Sequence, residues 1–193
     1  MELIETLTEE NKKGCKNQRY KKGQIIFHEN EECLYVGLVK KGSIQIVSYS
    51  LSGKEIVYNE INENGIFGNN LLFSKNPYYK GNVVAITDAE ILLINKEKLI
   101  KILQNNALFL ELYLSEHADF SKKLNNTIKI LSLDSAEERF LYYLKENSPL
   151  KYHSISSLAS SIFLTRETTS RLVSRLVKEG KIVQNGKVLS LKK

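Results

Sequence analysis

The chain of 193 residues has few cysteines, few histidines and no long apolar run. Two cysteines, Cys15 and Cys33, are too few to hold an iron-sulfur cluster or a zinc ion from one chain. We expect them to be reduced structural thiols, with a redox role for either left open. Three scattered histidines cannot supply the clustered ligands of a metal-dependent enzyme, so no catalytic or metal-binding residue is predicted.

Membrane and export signals are also missing from the sequence. No apolar run approaches the ~20 residues that cross a bilayer. Residues 1–5, MELIE, lack the basic start and apolar stretch of a signal peptide. We therefore expect a cytoplasmic protein that has no membrane partner.

The basic charge is concentrated near the end of the chain. Residues 135–193 contain 11 Lys and Arg against 5 Asp and Glu, and this surplus of six equals the formal net charge of the whole chain. Residues 1–134 carry 17 basic and 17 acidic side chains. A basic last third on a neutral body is typical of a protein that contacts nucleic-acid phosphates. The alternative is ordinary surface lysine that keeps the protein soluble.

The segment 156–182, SSLASSIFLTRETTSRLVSRLVKEGKI, predicts two short helices with a tight turn between them. The residues expected to face inward are Leu158, Ala159 and Ile162 in the first helix and Leu172, Leu176 and Val177 in the second. Thr165 is a suitable N-cap for the second helix because its hydroxyl can accept a hydrogen bond from an unpaired amide of the first turn. This arrangement is typical of a helix-turn-helix.

The opposite face of the second helix carries side chains that can read DNA. Arginine can pair with guanine, glutamate can accept from a cytosine amino group, and serine can contact a base or a phosphate. A solvated surface helix would also have such a face. Gly180 as a C-cap and a type I′ hairpin at Asn185-Gly186 favour a winged helix-turn-helix instead. The predicted DNA-binding residues are Thr165, Arg166, Glu167, Thr168, Ser170, Arg171, Ser174, Arg175 and Lys187.

Short alternating segments between turn signals predict strands in the first half of the chain. They cover residues 24–27, 34–39, 43–50, 55–61, 82–86 and 90–94. Their spacing is typical of an antiparallel barrel or jelly roll. The interior of such a roll could bind an uncharged metabolite or be filled with side chains, and the sequence leaves both possibilities open.

Helical periodicity follows after Asn95. Leu99, Ile102 and Leu103 predict a short helix, and a longer one is expected from Ala107 to Leu131. Its heptad seam consists of Leu110, Tyr113, His117, Phe120, Leu124, Thr127 and Leu131. The seam favours pairing with a second copy of the chain, and packing against the roll of the same chain is the alternative. His117 would set the register of the helix, or act as a ligand or pH switch.

The fold class predicted from these segments is α+β, in three parts. Residues 1–106 form a β-roll with flanking helices, residues 107–134 a dimerisation helix and hinge, and residues 135–193 the winged helix-turn-helix. A capping box at Ser135 and Glu138 is expected to begin the helix that follows the hinge.

Nearly the whole chain resembles the Crp/Fnr family of bacterial transcription regulators, named for the cyclic-AMP receptor protein. The resemblance rests on KKGQIIFHENEECLYVGLVKKGSIQIV, SGKEIV, NGIFGNNLLF, SAEERFLYYL and TRETTSR. It implies a homodimer with a cyclic-nucleotide-binding-like roll, whose recognition helix runs from about Thr165 to Glu179 and reads a palindrome with TGA cores. Arg166, Glu167 and Ser170, together with Arg171, match the base-reading positions of the family. RNA polymerase would be a further partner of an activator.

The sensor motif departs from the family pattern. Cyclic-nucleotide binders of the family have Phe-Gly-Glu and, about ten residues on, an arginine for the phosphate. This chain has Phe67-Gly68-Asn69 and, near the later position, Tyr79-Lys80. We therefore do not expect cyclic AMP to bind, because a buried phosphate without arginine would remain uncompensated. The effector positions implied by the resemblance are Gly68, Asn69, Asn70, Leu71, Tyr79, Lys80, Leu124 and Asn125.

Other sensors of the family fit no better. The oxygen-sensing branch uses four cysteines, and haem-binding members need an axial ligand, which His28 and His153 are not placed to provide. The effector is left unidentified.

Two departures affect the predicted DNA reader. Phe163 stands where the family usually has glycine, and Thr169 replaces an apolar core residue. The main alternative is therefore a ligand-binding or partner-binding protein of the same fold with weakened DNA binding. An enzyme on a cupin-like jelly roll is the third possibility, and it would need the missing cluster of metal ligands.

Overall fold

A computed structural model of the chain describes residues 2–53 and 55–192. Met1, Lys54 and Lys193 lie outside the described residues. Met1 and Lys193 are the first and last residues of the predicted domains, and Lys54 belongs to the SGKEIV motif. The chain divides into two compact units, Met1–Asp119 and Phe120–Lys193. Among the described helices, none combines the length and the apolar character needed to cross a bilayer.

The first unit is a β-roll with flanking helices. It begins with a short 3-10 helix, Leu3–Thr6, and helix α1, Glu9–Lys12. Eight strands follow: β1 Lys16–Tyr20, β2 Ile25–Phe27, β3 Tyr35–Lys41, β4 Ile44–Tyr49, β5 Glu55–Ile61, β6 Ile66–Phe67, β7 Asn82–Ala85 and β8 Ala89–Asn95. All six predicted strands are confirmed. The sequence did not predict β1, whose side chains are mostly exposed, or β6, which has only two residues.

Two four-stranded antiparallel sheets share the core of the roll. Their strand orders are β1-β8-β3-β6 and β2-β7-β4-β5. Alternation directs one face of each strand inward, so Leu38 of β3, Ile44 of β4, Val83 of β7 and Ile91 of β8 are all buried in one cluster. The predicted α+β class with an N-terminal antiparallel roll is confirmed.

One helix and the first half of the next complete the first unit. Helix α2, Lys96–Asn105, is capped by the side chain of Asn95 and buries Leu99 and Ile102, as predicted. Helix α3, Ala107–Leu131, spans the residues expected for the long helix. Its first turns pack against the roll through Phe109 and Tyr113, which are 0% and 4% exposed.

This packing corrects the predicted heptad seam. Tyr113 lies in the core of the first unit, so it cannot belong to an exposed seam. Phe120 and Thr127 are half-buried, whereas six large apolar side chains of α3 are exposed, three of them in the predicted seam and three outside it. The exposed ones are Leu108, Leu110, Leu114, Leu124, Ile128 and Leu131. Five of them fit a second seam, Leu110, Leu114, His117, Ser121, Leu124, Ile128 and Leu131, with alternating steps of four and three.

The second unit contains three more helices and a small sheet. Helix α4 is Ala136–Glu146, α5 is Ile155–Ser161 and α6 is Arg166–Lys178. Strands β9 Leu150–Lys151, β10 Ile182–Asn185 and β11 Val188–Leu191 pair antiparallel in the order β10-β11-β9. The predicted capping box at the start of α4 is confirmed, since Ser135 accepts from the Glu138 amide at 3.1 Å and Glu138 accepts from the Ser135 amide at 3.1 Å.

The wing is a hairpin, but its turn differs from the predicted one. Asn185 pairs with Val188 and is therefore the last residue of β10. The two turn residues are Gly186, at φ +58°, and Lys187, whose φ is not positive. A positive φ at the first turn residue alone is typical of a type II′ turn, so the predicted type I′ turn at Asn185-Gly186 was wrong.

The core of the second unit includes Phe140 and Leu144 of α4, Leu158 of α5 and Leu189 of β11. Helix α6 contributes Leu172, Val173 and Leu176 to the same cluster. Val177, which was predicted to face inward, is 38% exposed, and Val173 takes its place in the core.

One buried hydroxyl yields a test of the packing in the first unit. Tyr113 Oη is the buried side-chain polar atom that has no hydrogen-bond partner among the described residues. Burial raises the pKa of Tyr113 to about 12, because the charged form would lose hydration. We expect Tyr113→Phe to leave the free energy of unfolding unchanged or to raise it by up to about 1 kcal/mol, since an unpaired buried hydroxyl is removed.

The measurement is urea unfolding of the full chain. Tyr79→Phe is the control, because the Tyr79 hydroxyl does have a partner, the thiol of Cys33 at 3.5 Å. We expect the control to lose about 0.5–1.5 kcal/mol. A loss of more than 1 kcal/mol in Tyr113→Phe would mean that its hydroxyl is bonded in the folded protein.

Candidate functional site

Two capped helices build the predicted helix-turn-helix. Ser154 caps α5 by accepting from the Ser157 amide at 3.0 Å. Thr165 caps α6 by accepting from the Thr168 amide at 3.1 Å, as predicted. The C-cap of α6 is Glu179, and Gly180 follows in the left-handed region at φ +70°. The recognition helix therefore has the limits expected from the sequence.

The turn between α5 and α6 contains Phe163 in the left-handed region, at φ +56°. The Leu164 amide donates to Ala159 O at 3.0 Å, and the Phe163 amide donates to Ser160 O at 3.3 Å. These bonds close α5 with the geometry that glycine usually provides. The turn is thus kept in spite of the bulky residue, at a conformational cost of about 1–2 kcal/mol.

Thr169 is the buried polar residue of the recognition helix. It is fully buried, and its hydroxyl donates to Thr165 O at 3.0 Å, one turn earlier in the helix. The hydroxyl is therefore satisfied within the helix and does not leave an unpaired donor in the core. This explains how threonine fits a position where an apolar residue is usual.

The exposed face of α6 presents the predicted base-reading residues together. Arg166, Glu167, Ser170 and Arg171 are all exposed. Within residues 2–53 and 55–192, no hydrogen bond or ion pair engages the side chains of Arg166, Glu167 or Arg171. Two guanidinium groups and a carboxylate are therefore available for a partner outside the chain.

The other predicted DNA-binding side chains have partners within the second unit. Thr168 accepts at its hydroxyl from Thr165 at 2.8 Å, and the Ser174 hydroxyl donates to Ser170 O at 3.0 Å. Lys187, in the wing turn, donates to the backbone oxygen of His153 at 2.9 Å.

Arg175 is the predicted DNA contact that is most strongly engaged. Its guanidinium lies 2.5 Å from a carboxylate oxygen of Glu137 on α4. Glu137 and Lys181, which also pairs with Glu137, were not singled out from the sequence. Only the packing of α4 beside α6 brings them together, so spacing along the chain held no signal for them. A cleft beside this pair is lined by Ser135, Ala136, Glu137, Thr168, Arg171, Leu172 and Arg175.

The interior of the roll contains an aromatic cluster that includes one predicted effector position, Tyr79. Tyr79 is 1% exposed, and its ring stacks on Phe27 with centroids 5.0 Å apart. Phe67 lies next to Phe27, with ring centroids 6.2 Å apart. Tyr79 was predicted to line an effector pocket; its side chain is part of the core instead.

The turn at Gly68 brings its backbone close to Tyr35 and Tyr79. Gly68 has φ +75°, and a Cβ there would lie 2.7 Å from Tyr35 O and 3.3 Å from the Tyr79 hydroxyl. The Cys33 thiol lies within hydrogen-bond distance of two oxygens, Tyr35 O at 3.4 Å and the Tyr79 hydroxyl at 3.5 Å. Burial raises the pKa values of the Cys33 thiol and of Tyr79. The space beneath the turn is therefore occupied by neutral side chains.

The remaining effector positions differ in burial. Asn69 is buried and Leu71 is half-buried, while Asn70 and Lys80 are exposed. Leu124 and Asn125 are exposed on the part of α3 that belongs to the second unit. Across the described residues, no three His, Cys, Asp or Glu side chains gather in a way that could hold a metal ion.

The left-handed turn residue yields a second prediction. Phe163→Gly should raise the free energy of unfolding by about 1 kcal/mol, because it removes the strain of a side chain at positive φ, reduced by the backbone entropy of glycine. Little burial is lost, since Phe163 is 47% exposed. Phe163→Ala is the control, because it shortens the side chain and keeps the strain. Equal urea-unfolding midpoints for the two variants would contradict the prediction.

Comparison with known proteins agrees with this architecture. A family model described as the cyclic nucleotide-binding domain matches residues 17–106. The chain is 29% identical over 197 residues to the HTH-type transcriptional regulator ArcR of Staphylococcus haemolyticus, covering 91% of this chain and 82% of that protein.

Two solved structures have the same fold. The catabolite activator protein of Thermus thermophilus is 21% identical with a TM-score of 0.59, covering 98% of this chain and 93% of that one. A mutant of CooA from Carboxydothermus hydrogenoformans is 23% identical with a TM-score of 0.70, covering 100% and 92%. The chain thus shares its fold, a β-roll, a long helix and a winged helix-turn-helix, with these two proteins, and its residues 17–106 match the cyclic nucleotide-binding domain.

Proposed function

We propose that the protein is a sequence-specific DNA-binding transcription regulator. The observation that carries the proposal is the free exposed face of α6, where Arg166, Glu167 and Arg171 stand without partners in the described structure. These are the side chains that recognise guanine and cytosine edges in the major groove. The basic surplus of residues 135–193 supports phosphate contacts around them.

The regulator acts as a homodimer that pairs through α3. Support comes from the exposed apolar side chains of that helix, led by Leu114 at 57% and Ile128 at 62% exposure. Helix pairing would remove such side chains from water. Because Tyr113 is already buried in its own unit, we propose that the protomers pair along the second seam. Its residues are Leu110, Leu114, His117, Ser121, Leu124, Ile128 and Leu131. Two-fold symmetry would then match the TGA-core palindrome expected from the resemblance.

In this proposal the three predicted parts of the chain have separate roles. Residues 1–106 receive or once received a signal, residues 107–134 pair the protomers, and residues 135–193 read DNA in the bacterial cytoplasm. RNA polymerase is a partner if the protein activates transcription.

We infer that any effector of the roll is not cyclic AMP. Tyr79 fills the interior near Gly68, and no lysine or arginine is among the buried side chains of the described residues. Lys80 is exposed and lacks the planar fork with which arginine binds phosphate. A buried phosphate would therefore lose its hydration without a counter-charge.

Site selection from random duplex DNA tests the proposed function. The purified full chain is used without added ligand, and the surviving DNA is sequenced. We expect a two-fold site with TGA cores about one helical turn apart. No enrichment, either alone or with cell extract added, would refute DNA reading by this protein.

Two substitutions separate base reading from phosphate contact. Arg171→Ala should weaken binding to the selected site by about 1–3 kcal/mol and relax base choice at one position, because it removes a guanidinium from the reading face. Lys187→Ala in the wing should weaken all DNA alike and reduce the salt dependence of binding. Binding to selected and random duplexes across a salt series is the measurement. Equal losses on both duplexes for both variants would refute the two assignments.

A third substitution tests the proposed dimer. Ile128→Glu should weaken dimerisation by at least about 2 kcal/mol, because pairing would bury an added carboxylate. Sedimentation equilibrium gives the association constant. Ser115→Glu is the control, since it adds the same charge to an exposed position of α3 outside the seam. Equal dimerisation of the two variants would place the dimer contact elsewhere.

The alternative of a ligand-binding or partner-binding protein with a decayed reader rests on Phe163 and Thr169. Both departures are accommodated, since the turn bonds around Phe163 are kept and the Thr169 hydroxyl has its partner. They therefore give this alternative no support.

A further inference from the structure

Four charged side chains form one cluster on the second unit, and we name it the Glu137 cluster. Each carboxylate oxygen of Glu137 accepts from a different cation: Oε2 from Arg175 at 2.5 Å and Oε1 from Lys181 at 2.7 Å. Glu179 completes the cluster, 3.0 Å from the Lys181 ammonium and 3.8 Å from the Arg175 guanidinium. Two positive and two negative charges are thus balanced within it.

The cluster connects three elements of the winged helix. Glu137 lies in the first turn of α4, Arg175 in the last turn of α6, and Lys181 directly before β10. Glu137 is well covered, with 26% of its side chain exposed. The hydrogen bond from Lys181 lowers the pKa of Glu137, and the same bond raises the pKa of Lys181. Both groups therefore stay charged throughout the neutral pH range.

The location of Arg175 relates the cluster to the reading face. Arg171 precedes Arg175 by four residues, so both lie on one side of α6, one helical turn apart. Both also line the cleft that ends at Ser135, Ala136 and Glu137. Arg171 has no partner in the described structure, whereas Arg175 is held by two carboxylates. The two arginines of one face thus have different surroundings.

We propose that Glu137 is a positioning residue of the DNA reader, which holds Arg175 and Lys181 so that α6 is fixed against α4 and the wing. In this assignment Arg175 and Lys181 orient the recognition helix and do not neutralise DNA phosphates. The inference rests on the proposed function and changes one part of it, since Arg175 leaves the set of predicted DNA contacts.

Arg175→Gln and Glu137→Gln test the inference in the full chain, with selected and random duplexes and a salt series. If Arg175 orients the recognition helix, Arg175→Gln should lower the ratio of the affinity for selected DNA to the affinity for random DNA. We expect a decrease of about three- to fivefold, which corresponds to the loss of a partly exposed ion pair. The slope of log affinity against log salt should stay unchanged. Glu137→Gln should lower the ratio similarly. It should also steepen the slope by about one, because Arg175 or Lys181 would lose its ion pair with Glu137 and could contact a DNA phosphate.

Glu146→Gln is the matched control, because it removes the same charge from the exposed last residue of α4, away from the cluster. It should change neither the ratio nor the slope. Were Arg175 a phosphate contact, Arg175→Gln would reduce the slope by about one and weaken both duplexes equally. That result, or a Glu137→Gln variant that behaves like Glu146→Gln, would overturn the proposal.

A double-mutant cycle separates the inference from the proposed function. The unfolding midpoints of Glu137→Gln, Arg175→Gln and the double variant are compared with that of the natural chain. If Glu137 and Arg175 interact, the second substitution should lower the unfolding midpoint less when the first substitution is already present. Additive effects would overturn the inference whether or not the protein binds DNA. Failure of the natural chain to select any DNA would instead refute the proposed function.

Discussion

Burial of one face of α6 is the packing on which the reading surface depends. A helix of about 13 residues is marginal by itself in water, and α6 is held because Leu172, Val173 and Leu176 enter a core shared with Phe140 and Leu144 of α4. This packing fixes which side chains remain outside. Arg166, Glu167 and Arg171 thus remain exposed on one helix that is itself fixed by packing, as recognition of base edges requires.

The same core explains how the unit tolerates two departures from the Crp/Fnr pattern that it resembles. Phe163 adopts the left-handed turn, and the hydrogen bonds around it are those expected of a glycine. Thr169 enters the core with its hydroxyl bonded to Thr165 O. The left-handed turn at Phe163 costs conformational strain, whereas burial of Thr169 costs little. With both residues present, α6 still packs in the core of the second unit. The helix-turn-helix geometry is therefore compatible with both residues.

The interior of the roll is packed with aromatic side chains. Tyr79, Phe27 and Phe67 fill it next to the Gly68 turn, and the Tyr79 hydroxyl contacts the Cys33 thiol. An aromatic core of this kind stabilises the roll by burying apolar surface. The interior next to the Gly68 turn is therefore filled by aromatic side chains.

Much of the fold and of the reader could be predicted from local sequence. The six strands, the Ala107–Leu131 helix, the Thr165 cap and the Ser135 capping box follow from alternation, periodicity and capping, which act over a few residues. Strands β1 and β6 were missed because an exposed strand and a two-residue strand leave no apolar pattern. The exposed base-reading residues were found because helical spacing places them on one face.

Tertiary packing alone decided the rest. Tyr113 fits a heptad seam as well as Leu114 does, and only the docking of α3 on the roll buries the tyrosine and exposes the leucine. Likewise, Arg175 and Arg171 are equivalent by spacing, and only the approach of Glu137 engages one of them. The sequence by itself determined which elements form and which chemistry they carry. Contacts between residues distant in the chain determined which of those side chains remain free, because burial and pairing depend on neighbours that no local pattern specifies.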